Sequence, residues 1–118
     1  GMKVVMNHEA AQKREPTDVS KENRGYDIRS MNKANNEIRR IEVKARAGVG
    51  AIELSKTEWI QAERYQNEYY LYVVYDAATA DPKLRIIQNP HKNLDAEQHI
   101  TVRYLISDEE IQQKGDKV

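Results

Sequence analysis

The segment Glu68 to Asp76, EYYLYVVYD, constrains this chain more than any other stretch. Side chains along a strand alternate between faces, so a run this apolar needs cover on both sides. Such a strand belongs in the middle of a sheet. It is far too short to cross a bilayer as a helix, and it carries four phenols. Just upstream, Ser55-Lys-Thr-Glu58 is a capping box, in which Ser55 caps a helix and Glu58 reaches back. That helix is expected to run to about Gln66, with Trp59, Ala62 and Tyr65 or Gln66 inward.

The other elements are read around this pair. Val4 to Lys13 reads as a short helix stopped by Pro16, and Thr17 to Gly25 as a polar connection. Tyr26 to Met31 and Glu37 to Ala47 form a β-hairpin around the turn-rich MNKANN stretch. Ala51 to Leu54 is expected as a third short strand. Lys83 to Gln88 and His99 to Ile106 alternate like further strands or edges, and Ser107-Asp-Glu-Glu110 opens a final helix through a second capping box. The expected class is α/β (α+β): one domain over 1–118, with an αβββαβ core and a mixed sheet flanked by helices. The helix between the third and fourth strands serves as the crossover.

Composition narrows the function classes. Lys plus Arg and Asp plus Glu are 19 each, so overall basicity is no argument for nucleic acid. Residues 1–50 nevertheless hold 11 basic against 7 acidic side chains, and residues 51–118 hold 8 against 12. Ile, Leu and Val number 24 and Phe is absent, a composition near the border of disorder, but the high net charge of disordered chains is missing. No Cys means no disulfides, no thiolate zinc site and no Cys nucleophile. With no apolar leader at the N-terminus, a cytoplasmic location is expected and no membrane partner. No GxxxxGK[ST] or GxGxxG motif is present, so the chain itself drives no nucleotide motor.

The chemistry-bearing pattern lies in Arg40-Ile41-Glu42-Val43-Lys44-Ala45-Arg46. Ile41, Val43 and Ala45 point one way, and Arg40, Glu42, Lys44 and Arg46 the other. Tyr26-Asp27-Ile28 on the preceding strand offers Asp27 beside that charged row. Two carboxylates and a lysine on adjoining strands suit phosphodiester hydrolysis with Mg²⁺ or Mn²⁺, since these hard ions take one or two carboxylates plus water and phosphate. Lys44 would orient the attacking water or stabilise charge on the phosphoryl oxygens. Glu9, on the first helix, is expected to complete the shell from below. The plain alternative is a solvated charge pair on a hairpin face, and residue types alone favour it.

The segments REPTDVSKENRGYDIRS, RRIEVKARA, IELSKTEWIQA and EYYLYVVYD together resemble the No Vein-type C-terminal domain, a family associated with helicase-like proteins. That domain is similar to the restriction-endonuclease-like PD-(D/E)XK superfamily. The resemblance, from about Val5 to Pro90, implies a restriction-endonuclease-like fold. It places the superfamily's first acid on Asp27, its (D/E)XK on Glu42, Val43 and Lys44, and its helix glutamate on Glu9. Tyr26 stands where the motif has Pro, and Ala45 where Gly is frequent; neither change removes a chemical group. It also leaves open that the domain ends a longer helicase-like protein.

The function expected is metal-dependent cleavage of DNA, with Arg24, Arg29, Arg39, Arg40 and Arg46 on the phosphate backbone. A helicase or ATPase module, in the same or another chain, is the expected partner, and a homodimer is an open arrangement. The alternatives are a non-catalytic DNA-binding module and a protein-docking domain using a sheet edge. Glu58 and Trp59 are read as cap and core, the Tyr cluster as sheet bulk, and His8, His91 and His99 as surface residues.

Overall fold

The computed structural model describes residues 1–118. In chain order the elements are α1 (Met2–Ala11), β1 (Arg14–Asp18), β2 (Ile28–Asn32), β3 (Ile38–Ala45), α2 (Lys56–Tyr65), β4 (Tyr69–Tyr75), β5 (Lys83–Gln88), α3 (Pro90–Asn93) and α4 (Asp108–Lys114), with short 3₁₀ turns at Ser20–Glu22 and Gln66–Glu68. The strands form one sheet in the order β1-β2-β3-β4-β5. β3 and β4 are parallel, and every other neighbouring pair is antiparallel. The fold is therefore α+β with a mixed sheet, as the alternation pattern predicts, and the elements up to β4 follow the order αβββαβ. No helix is long and apolar enough to cross a membrane.

β4 is buried along nearly its whole length because the sheet has a layer on each face. Tyr70, Tyr72 and Val74 join Val5, Ile28 and Ile41 under α1. On the opposite face Tyr69 packs with Val19, Tyr26 and Ala62 under α2. Ala62 is fully buried, and Trp59 stacks 5.0 Å from His91 on α3. Ser55 caps α2 through both halves of the capping box. Burial of both faces of β4 supplies the hydrophobic stabilisation that a chain without Phe must find elsewhere.

Two strand assignments need correction. Ala51–Leu54 forms no strand. β3 already has a neighbour on each side, so no open edge beside it remains. The third strand before α2 is instead β1, which carries Pro16 and exposes most of its side chains. An edge strand tolerates a proline because one side of its backbone needs no partner. Its one buried side chain, Arg14, donates from Nε to Ser30 Oγ at 3.1 Å and from Nη2 to the Ser30 carbonyl at 3.0 Å.

The C-terminal region also departs from expectation. His99–Ile106 is unpaired and exposed. At α4 only half of the expected capping box forms: Ser107 Oγ accepts the Glu110 N–H, while the Glu110 carboxylate pairs with Lys114 at 3.0 Å. The first helix is shifted, starting at Met2 and ending at Ala11, before Pro16 can terminate it.

Candidate functional site

β2 and β3 are aligned with Ile28 opposite Ile41, which carries Asp27, one residue earlier, alongside Glu42. Asp27 has left the regular ladder but continues it in another way. Its N–H donates to the Ile41 carbonyl at 2.8 Å, and its Oδ2 accepts the Val43 N–H at 2.9 Å. A side-chain oxygen stands where a strand carbonyl would otherwise be. The aspartate thus brackets Glu42 on both sides, and its orientation is fixed by backbone rather than by another flexible side chain.

Glu42 and Lys44 point from β3 to the α2 face. There they meet Glu58 in the first turn of α2. Lys44 Nζ donates to Glu58 Oε1 at 2.9 Å and lies 3.5 Å from Glu42 Oε1. Asp27, Glu42 and Glu58 line a cleft of about 420 Å³ with Arg24, Ser55 and Thr57. Gly25 forms part of its wall at φ +81°, where a Cβ would come within 2.6 Å of Gln61 Cγ. The Tyr69 hydroxyl donates to the Gly25 carbonyl at 2.7 Å, tying this wall to the core.

The site's electrostatics are unbalanced, with three carboxylates facing one ammonium. Glu42 is 2% exposed, and its Oε2 has no hydrogen-bond partner. Burial pushes its carboxyl up to about 9, helped by the negative charge of Asp27 and Glu58. Lys44 lies 3.5 Å away, but the cost of desolvating the carboxylate outweighs that attraction. Burial pulls the Lys44 ammonium down, yet the Glu58 hydrogen bond and the charges of Glu42 and Glu58 outweigh it and leave it above the ordinary lysine range. Burial likewise pushes Glu58 up, but the Ser55 N–H and Lys44 hold it below the ordinary range. The two glutamates are driven apart by what each can accept, since Glu58 has donors and Glu42 lacks them.

These side chains are chemically suited to a hard divalent ion. Asp27 and Glu42 offer carboxylate oxygens, and the buried Glu42 Oε2 is an acceptor without a hydrogen-bond partner. No group of three or more His, Asp or Glu side chains is arranged to hold a metal by itself. A two-carboxylate site completed by water and phosphate is the arrangement the donors fit.

Not every expected residue converges here. Glu9 is the clearest correction. It lies on the α1 face, across the sheet from Glu42, fully buried among Arg14 at 3.5 Å, Arg39 at 3.7 Å and the Tyr72 hydroxyl, which donates to Oε2 at 2.7 Å. The sheet itself separates it from the cleft, so it cannot complete a metal shell there.

Arg39 follows Glu9 to that opposite face, because consecutive strand residues point in opposite directions. Its guanidinium lies 4.7 Å from the Tyr70 ring centre and donates to the Tyr72 hydroxyl at 3.1 Å. Arg40 is on the cleft side but is stacked on Tyr65 at 4.1 Å and paired with Glu68 at 3.1 Å. Arg29 stands opposite Arg40 in register, exposed on the same side. Arg24 lines the cleft and pairs with Glu22 at 3.3 Å. Arg46 donates to the Ala51 carbonyl just past β3.

Glu58 is the residue that the sequence reading left out of the site. Its capping role is visible in the Ser55-Lys-Thr-Glu58 spacing, and that role explains the residue so completely that nothing points to a second one. Its approach to Lys44 depends on the crossover bringing the start of α2 over β3.

Residues 1–87 match the family model described as Protein NO VEIN, C-terminal, so the chain belongs to that family. Comparison with curated proteins and with solved structures gives no match.

Proposed function

We propose that this member of the NO VEIN C-terminal family is a divalent-metal-dependent nuclease domain of the restriction-endonuclease-like type, acting on DNA beside a helicase or ATPase module. The observation that carries the reading is that Asp27 and Glu42 line one cleft with Lys44 Nζ 3.5 Å from Glu42 Oε1, while the buried Glu42 Oε2 has no hydrogen-bond partner. Asp27 and Glu42 would hold Mg²⁺ or Mn²⁺. When bound, the ion supplies Lewis-acid activation of water and of the scissile phosphate. Asp27 keeps its orientation through the Val43 N–H. Lys44, held by Glu58, keeps its proton and presents positive charge where it builds up on the phosphoryl oxygens. Arg24 and Arg29 are the cations best placed to meet the backbone phosphates flanking the cleft.

The test is incubation of the protein with plasmid and single-stranded DNA, with and without Mn²⁺, comparing wild type with Lys44→Ala. Metal-dependent cutting that drops by about 10² or more in the variant supports the role given to Lys44. Equal cutting by both proteins removes it.

A second reading, a non-catalytic DNA-binding module, is favoured by one observation: Glu42 is almost fully buried, which pushes its carboxyl up and favours its protonated form where no ion is bound. It predicts salt-sensitive binding without hydrolysis, weakened by Arg24→Ala and retained in Glu42→Gln.

A further inference from the structure

The chain leaves two complementary features unused. One is the outer edge of β5. The sheet's other edge, β1, is blunted by Pro16, Glu15 and Asp18, whereas β5 has no proline and carries Leu84, Ile86 and Ile87 alongside Lys83 and Arg85. Ile86 is 43% exposed there. The other is the segment 100–106, in which Ile100, Val102, Tyr104 and Ile106 recur at every second position. Their exposures include 80% for Ile100, 74% for Val102 and 90% for Tyr104. Residues 95–118 are exposed throughout. The radius of gyration is 19.0 Å, against about 13 Å for a compact domain of 100 residues. The C-terminal region is an arm reaching away from the body.

We propose that residues 100–106 pair as a sixth strand with the free edge of β5 in a second copy of this chain, each copy lending its arm to the other. Antiparallel pairing is favoured, and one register satisfies both faces. With Tyr104 opposite Ile86, Ile106 falls opposite Leu84, and the apolar side of the arm extends the layer under α1 to which Leu84 already contributes. Arg103 then faces Ile87 rather than Arg85. A slip of two residues would set Arg103 against Arg85, and like charges directly opposite are disfavoured. The same register brings Ser107 beside Lys83, so that Asp108, Glu109 and Glu110 follow next to a basic edge; in the free edge Lys83 pairs only with its neighbour Asp81. Reciprocal exchange is isologous and closes on itself, leaving both β5 edges and both arms covered.

The absence of cysteine makes the arrangement directly testable. Tyr104→Cys and Ile86→Cys are introduced singly into the full chain, and the two proteins are mixed and mildly oxidised. The expected result is a disulfide-linked species of twice the chain mass that neither variant forms alone. Uncrosslinked wild type should sediment as a dimer at tens of micromolar. Val102→Pro, which removes an N–H from the arm, should convert it to a monomer that still unfolds cooperatively and loses only the strand signal of the arm from its circular dichroism spectrum. A crosslink seen only within one chain, in the double variant, would mean that the arm folds back on its own edge and overturns the proposal. A wild-type monomer with no crosslink overturns it equally. Neither outcome bears on DNA cleavage, which is read separately.

Discussion

Lys44 Nζ and the Ser55 N–H donate to the same oxygen, Glu58 Oε1, at 2.9 and 2.8 Å. The carboxylate that closes the capping box of α2 is therefore also the counter-charge of the lysine on β3. The start of the crossover helix and the charged row of the sheet are joined through one atom. This gives a physical reason for Lys44 to point toward the start of α2 rather than toward solvent.

Replacing Glu58 with Gln should separate these two duties. The Lys44 pKa is expected to fall, because its hydrogen-bonded anionic partner is gone while its burial remains. Ser55→Ala, which removes the cap oxygen and leaves the carboxylate, should cost about 1 kcal/mol of stability without that fall. Titration of the Lys44 side chain by NMR in the two variants distinguishes them. The same Lys44 pKa in Glu58→Gln as in wild type would show that the ion pair contributes nothing in solution.

Glu42 gives the protein a pH-dependent stability of unusual sign for a carboxyl group. Its folded-state value of about 9 lies above its ordinary value of 4.5, so between these limits the folded state binds more protons than the unfolded state. Stability is then greatest toward the acid end of this window and falls as the pH rises through it. Denaturant unfolding from pH 5 to 9 should show this decline in wild type and a much flatter profile in Glu42→Gln. With Mn²⁺ present, the wild-type decline should shrink, since the bound ion stabilises the ionised form.

Glu9 is expected to matter for stability and not for metal. Glu9→Ala strips a buried carboxylate from Arg14, Arg39 and the Tyr72 hydroxyl and leaves Arg14 buried beside them. Breaking a buried pair by removing one partner costs about 3–5 kcal/mol. Chemical denaturation should register that loss. A Mn²⁺-induced rise in melting temperature, compared at matched distance below each protein's midpoint, should survive. Loss of the metal response in a folded Glu9→Ala protein would place Glu9 at the cleft after all.

Gly25→Ala should disturb the site through the backbone. At φ +81° an L side chain is strained, and the added methyl would meet Gln61 Cγ at 2.6 Å. A destabilisation of about 1–3 kcal/mol is expected. The wall carrying Arg24 should shift with it. Backbone amide shifts at Val43, whose N–H reports on the Asp27 carboxylate, provide the check. An unchanged Val43 amide together with unchanged stability would remove Gly25 from this role.

Local chemistry fixed the parts of this protein that repeat along the chain. The alternation in Arg40–Arg46 put Glu42 and Lys44 on one side of a strand, the unbroken run 69–75 demanded a covered central position, and Ser55 with Glu58 marked where α2 begins. Each is a property of neighbours within a few residues, and the period of the backbone displays it directly. Other features could be decided only by packing between distant segments. The edge strand β1 announces itself by no apolar pattern, because its buried member is an arginine held by Ser30 and Glu9. Ala51–Leu54 has strand-like residues, but β3, the strand before it, has both sides already paired. Glu9 falls on the far face because α1 covers the side of the sheet where Ile41 and Tyr72 point. Glu58 reaches Lys44 because the parallel pairing of β3 with β4 carries the connecting helix back over the charged row. Pairing partners and the choice of face are relationships between segments far apart in the chain, and no period within one segment encodes them.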